Sequence, residues 1–258
     1  MNFSLVDIAV PFRMQPGLRR LEPADPQLTR LDPAGELYRE KRAVMEIGQS
    51  RHVVAGFDPS AALDAIRARM PSELPPEIAY EQDFAVLDGE SGALKWLCVC
   101  VPSHWAPEEK IGLDFPAVHA PVADNKLLVS SASQLVKLAT SGDCWERFVW
   151  TVTPSGRYDQ HPKRHLREPW PQVEDARQFA QKLWLRAERQ TFFPVAGTRQ
   201  SVFTIRVMLQ PLVEAVEAPG AARKLHDALA TMSDAVLAYK GLAPARDRLL
   251  AWLSHGAA

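Results

Sequence analysis

The chain has 258 residues, 47% of them hydrophobic and 24% charged, an ordinary globular composition with length enough to bury a sizeable core. Its 30 Lys and Arg stand against 31 Asp and Glu, so the formal charge of −1 gives no electrostatic reason to expect nucleic acid or an anionic membrane as partner. No run approaches eighteen apolar residues, and the start MNFSLVDIAVPFRM lacks a basic region followed by a long apolar core, so a soluble cytoplasmic protein is expected.

Residues 1–34 carry Pro11, Pro16, Pro23, Pro26 and Pro33 with little periodicity, and read as an extended arm packed on the single domain formed by 1–258. Leu37, Val44 and Ile47 give 34–48 an apolar helical side, with Gly48 where a C-cap belongs. Pro59 opens a second helix that Pro71 ends, and Pro75-Pro76 lead into a short turn or helix. From Phe84 the period changes to that of a hairpin: 84–87, a turn at 88–92, then 93–101. Cys98 and Cys100 alternate with valines and, with the isolated Cys144, read as buried structural thiols.

The stretch PSHWAPEEKIGLDFPAVHAPV (102–122) follows, with four prolines, two histidines and a tryptophan. Prolines limit the freedom of such a loop, and a rigid scaffold can then present its side chains to a ligand. Asp124 is the expected N-cap of one helix over 125–139. Strands are expected at 145–153, 183–193 and 201–209, the last two joined by a turn and each carrying an interior charge, Glu188 and Arg206. The basic loop 154–173 reads as a solvated surface, with His161 and His165 exposed. Helices near 220–232, 234–240 and 244–254 close the chain, with Gly241 and Gly256 as C-caps. Early helices, strands able to pair antiparallel and late helices make an α+β domain.

Nucleotide-binding glycine loops, the H-E-x-x-H pair, paired C-x-x-C and the G-x-S-x-G elbow are all missing, which argues against a nucleotide fold, a structural zinc and an α/β-hydrolase. Of seven histidines, His104 and His119 stand apart because proline and aromatic or apolar residues surround them. From the residues alone, His119 is either a hydrogen-bonded core histidine or a metal or haem ligand.

W-x-P-x-E-K-x-G followed by H-x-P-V, here Trp105, Pro107, Glu109, Lys110, Gly112, His119, Pro121 and Val122, resembles the signature of the haem-dependent oxidative N-demethylase family. PFRMQPGLRRL (11–21), QDFAVLD (82–88), RAERQTFFPVAGTRQSVFTIRV (186–207) and AYKGL (238–242) are similar to further family segments, in order. The resemblance implies a PAS-like curved antiparallel sheet with flanking helices around haem b. It implies oxidation of a small secondary methylamine such as dimethylamine by O2, with release of formaldehyde. Electrons would come from NADPH through separate flavin and iron–sulfur reductase subunits.

By position, the resemblance makes His119 the haem-iron ligand, with His104 the next candidate. It places Trp105, Lys110, Pro121 and Val122 around the cofactor, and makes Glu188 and Arg206 polar residues of the pocket or of its support. The plain alternative for Glu188 is a surface ion pair with Arg186. The chain departs from the pattern twice: Ala123 stands where a second proline is usual, and Val149 where Arg-x-Asn-Trp has asparagine. The competing reading of the whole is a non-catalytic haem- or ligand-binding PAS-type module.

Overall fold

The computed structural model describes residues 3–22 and 24–254, so the expectations that fall on Pro23 and Gly256 lie outside the described residues. Among these, seven strands form one sheet: β1 (Arg19–Leu21), β2 (Arg51–Val53), β3 (Asp83–Asp88), β4 (Leu94–Cys98), β5 (Cys144–Thr153), β6 (Trp184–Val195) and β7 (Gln200–Pro211). They pair antiparallel throughout, in the order β1-β5-β6-β7-β3-β4-β2. The α+β class therefore holds, with the sheet curved and open.

The helices are α1 (Glu36–Glu46), α2 (Ser60–Arg69), α3 (Pro76–Ala79), α4 (Phe115–His119), α5 (Lys126–Ser130), α6 (Ala132–Ala139), α7 (Ala176–Ala180), α8 (Leu212–Ala215), α9 (Ala221–Thr231), α10 (Asp234–Lys240) and α11 (Arg246–Ser254). The late helices match their expected spans because their punctuation is local. Ser233 Oγ accepts the Val236 N–H to cap α10, and Gly241, at φ +71°, takes the left-handed position that ends it.

Strand alternation divides the apolar side chains between the two faces of the sheet. On one face Trp150, Val152, Leu185, Ala187 and Met208 pack with Leu225, Leu229 and Leu249 of α9 and α11. Farther along that face Phe84, Val86, Trp96, Phe193 and Val202 pack with Ile66 of α2. On the other face Ala85, Leu97 and Val99 pack against Trp105 and Ile111 of the central loop, with Phe203 between. Leu5 and Ile8 of the opening segment are buried in the first cluster, and β1 extends the sheet beside β5.

Three local expectations are corrected. The helix expected over 125–139 is two helices, broken where Ser131 ends α5 and precedes α6. Asp124 does not cap it: Asp124 has φ +52°, and its carboxylate accepts the Ser233 hydroxyl at 2.8 Å. The loop 154–173 is not simply solvated. Asp159, Gln160 and His161 are buried, and the Asp159 carboxylate is paired with Arg164 at 2.7 Å.

Candidate functional site

The central loop leaves β4 through a buried anchor. Lys41 of α1 is fully buried and pairs with Asp83 at 3.0 Å, while Asp83 Oδ2 accepts the Cys100 and Val101 amides at 3.0 and 2.8 Å. A buried ion pair is tolerable only when its remaining hydrogen-bonding capacity is met. The Lys41 ammonium meets its own by donating to the Tyr80 and Gln82 carbonyls at 3.1 and 2.8 Å. This fixes Val101, and Ser103 then bridges to Gln160 of the 154–173 loop.

His104 follows in the left-handed region, at φ +59°. It presents surface to solvent, yet enclosure of its ring and the cations Arg167 and Arg186 push its pKa down to about 4. Trp105 lies half-buried between two apolar clusters, on Val101 and Val207 at one side and on Leu97 and Val99 at the other.

The second half of the loop builds α4. Asp114 Oδ1 accepts the Ala117 N–H at 2.9 Å and caps the helix, and Pro116 sits in its first turn. Lys110 reaches back so that its ammonium donates to the Val118 carbonyl at 3.2 Å. That contact is a cation on a helix C-terminal carbonyl, the favourable sense of the helix dipole.

His119 ends this helix, half-buried and stacked on Phe115 with ring centroids 4.0 Å apart. Its Nδ1 lies 2.8 Å from the Phe115 carbonyl oxygen. A carbonyl only accepts, so Nδ1 carries the proton and the neutral ring keeps its lone pair on Nε2. Burial lowers the pKa of this imidazole, and the charges of Arg147 and Lys110 lower it further. Pro121 is exposed and Val122 half-buried in the turn after α4, where the Val122 N–H donates to the His119 carbonyl at 3.0 Å.

Arg147 and Val149 of β5 stand directly across from Gln190 and Glu188 of β6, so all four side chains share one face of the sheet with Arg186. Arg186 and Glu188 are both buried, which overturns the surface-pair alternative. Arg186 donates from Nε to Ser103 Oγ at 2.8 Å, and the Ser103 hydroxyl donates to Glu188 Oε1. Gln190 Nε2 donates to Glu188 Oε2 at 2.7 Å. The other Arg186 nitrogens hold the Val101, Arg157 and Tyr158 carbonyls, and burial brings its pKa down to about 10.

The charges of Arg147 and of the candidate Lys110 bear on His119, and the charge of the candidate Glu188 bears on Arg147 in turn. Arg206 is not among them. It pairs across the ladder with Arg189, on the face opposite Glu188, and its Nε donates to Glu81 Oε2 at 2.5 Å beside a 270 Å³ cleft next to α1. His161, expected to be exposed, is 2% exposed, with Nε2 3.0 Å from Glu108.

Sequence reasoning missed Ser103 as a partner of Glu188, and Arg147 and Lys240 as neighbours of the same site, whereas strand alternation already put Gln190 on the Glu188 face. An arginine facing a glutamine and a valine facing a glutamate across two adjacent strands is a readable signal once the strands are known to pair. The pairing itself is not readable from one sequence.

A haem iron needs from the protein one uncharged ligand and an apolar, partly enclosed setting with cations for its propionates. The Nε2 lone pair of His119, the half-buried Trp105 and the half-buried Arg147, whose Nε is buried, fit that requirement. Residues 77–250, about two thirds of the chain, match the family model described as "Haem-dependent oxidative N-demethylase, alpha subunit-like".

Proposed function

The chain belongs to the haem-dependent oxidative N-demethylase, alpha subunit-like family, and from that premise we propose that it is a haem b oxidoreductase that demethylates a small secondary methylamine. In the overall change, a methylamine, O2, two electrons and two protons give the demethylated amine, formaldehyde and water. We read the sheet as a PAS-like one and the setting as cytoplasmic. The alpha-subunit wording of the family implies a multi-subunit enzyme. The partners that fit are reductase subunits carrying flavin and iron–sulfur centres and drawing on NADPH, because the chain has no dinucleotide fingerprint or cluster-binding cysteine set of its own.

The observation that carries the reading is the His119 hydrogen bond. Donation from Nδ1–H to the Phe115 carbonyl holds the imidazole in one orientation and one tautomer, and polarises the ring toward a more basic Nε2. Haem b, when bound, supplies the iron that activates oxygen. Trp105 and Lys110 then support the ligand loop, one by packing and one by holding the end of α4, while Pro121 and Val122 form the turn that closes it. Arg206 has a supporting part, tying β7 to Glu81.

Glu188 is the residue for the amine. Each of its oxygens already accepts one hydrogen bond, which fixes the carboxylate plane and leaves acceptor capacity for a substrate N–H. A carboxylate so held can orient a cationic methylamine and take up its proton as the methyl group is oxidised. Val149 beside it offers an apolar surface where the family pattern has asparagine, so a substrate less polar than dimethylamine is the better fit. The test is formaldehyde release from a panel of secondary methylamines with a competent electron donor. A haem-loaded protein inactive on all of them would leave the binding-module reading standing instead.

A further inference from the structure

Two cations on which the charge of Glu188 bears form no ion pair among the described residues. The Arg147 Nε is buried and has no hydrogen-bond partner among the described residues. Lys240 ends α10, where Gly241 turns the chain, and its ammonium donates to the Trp150 carbonyl at 2.6 Å. That ammonium lies 5.5 and 5.6 Å from the centroids of the Phe12 and Trp150 rings. Neither arrangement neutralises a charge: a carbonyl and two ring faces satisfy an ammonium only in part.

Among the described residues Glu188 is the one carboxylate whose charge bears on both cations, and it also bears on Arg186. Its oxygens accept from Ser103 and Gln190, and among the described residues neither Arg147 nor Lys240 donates to them. The described residues therefore enclose more positive than negative charge at this point of the sheet. Enclosed charge without a partner is costly, and the guanidinium fork is suited to holding a carboxylate through two parallel hydrogen bonds. Burial lowers the pKa of Arg147 and brings that of Lys240 down to about 8, the response expected of cations lacking a counter-ion.

We propose that Arg147 and Lys240 form a carboxylate-binding pair that would anchor the propionates of the porphyrin. This rests on the haem reading above. It adds a part that iron ligation does not supply: affinity for the macrocycle itself. The other source of a carboxylate here is an amine substrate that carries one, and the experiment separates the two.

The probe is metal-free protoporphyrin IX, followed by fluorescence, against its dimethyl ester, whose propionates carry no charge. On the wild-type protein the ester should bind at least about tenfold more weakly than the free acid, a comparison that needs no variant. Arg147→Gln and Lys240→Met should each weaken the free acid by a similar factor and leave the ester unchanged, whereas His119→Ala should leave both unchanged, because no iron is present. An ester that binds as tightly as the acid, or variants with wild-type affinity for the acid, would overturn the proposal. If those same variants lose a carboxylate-bearing methylamine instead, the pair belongs to the substrate. If neither porphyrin binds the wild type, the proposal fails, and a titration of the same protein with haem, where iron is present, tests the haem reading separately. The first two results would leave that reading intact.

Discussion

Arg186 and Glu188 are neighbours on one face of β6, yet they are joined through a third residue: Arg186 donates to the Ser103 hydroxyl, which in turn donates to Glu188. The order of donors follows from chemistry. A guanidinium cannot accept, so the serine oxygen accepts from it and its proton is left for the carboxylate. A residue of the central loop is thereby locked to a strand 85 positions away.

Replacing the serine should separate its positioning role from simple packing. Ser103→Ala leaves the Arg186 Nε and one Glu188 oxygen without a partner, which costs about 1–3 kcal/mol. A chemical denaturation midpoint reads that loss. Ser103→Thr, which keeps the hydroxyl, should restore most of it.

Glu188→Gln retains the shape of the side chain and removes its charge. With haem content first shown to be unchanged, formaldehyde release should fall by about 100-fold, the lower end of what a positioned acid–base group contributes. Undiminished release would remove Glu188 from the chemistry.

The Lys41–Asp83 pair anchors the start of the loop from within the core. Asp83→Ala would strand a buried ammonium and two loop amides, so a destabilisation of about 3–5 kcal/mol is expected, larger than for any exposed pair. Urea unfolding followed by tryptophan fluorescence measures it.

The Lys240 ammonium predicts a pH dependence. In the free protein its pKa is depressed from 10.5 to about 8 by burial and Arg147, with Glu188 opposing. Between those values the unfolded chain binds the extra proton, so this residue makes stability rise with pH across that window. Affinity for the porphyrin free acid should move the other way, weakening as pH rises through about 8 and the cation is lost. Titrations at several pH values, repeated with Lys240→Met, should show the dependence flattened in the variant.

Much of the fold was legible because its signals are local. Gly241 and Ser233 punctuate the late helices, and the change from helical to alternating period at Phe84 marks the hairpin of β3 and β4. The three-residue strand β2 carries too few residues to show a period. The break at Ser131 leaves the apolar spacing of α5 and α6 looking continuous. His161 sits in a basic stretch, yet it is buried and its ring nitrogen meets Glu108, more than fifty positions away. The site divides in the same manner. His119 stood out by its neighbours in the chain, and Gln190 shares the Glu188 face by strand alternation, whereas Arg147 and Ser103 join Glu188 only through the register of the sheet and the path of the central loop.

The central claim is that His119 gives its Nε2 to haem iron, and the most direct measurement is the absorption spectrum of His119→Gly reconstituted with haem, before and after addition of imidazole. The Soret band of the wild type should be lost or shifted in the variant and should return when imidazole fills the space left by the side chain. A variant that keeps the wild-type spectrum without imidazole would contradict the claim and move the ligand elsewhere, with His104 the first residue to replace next.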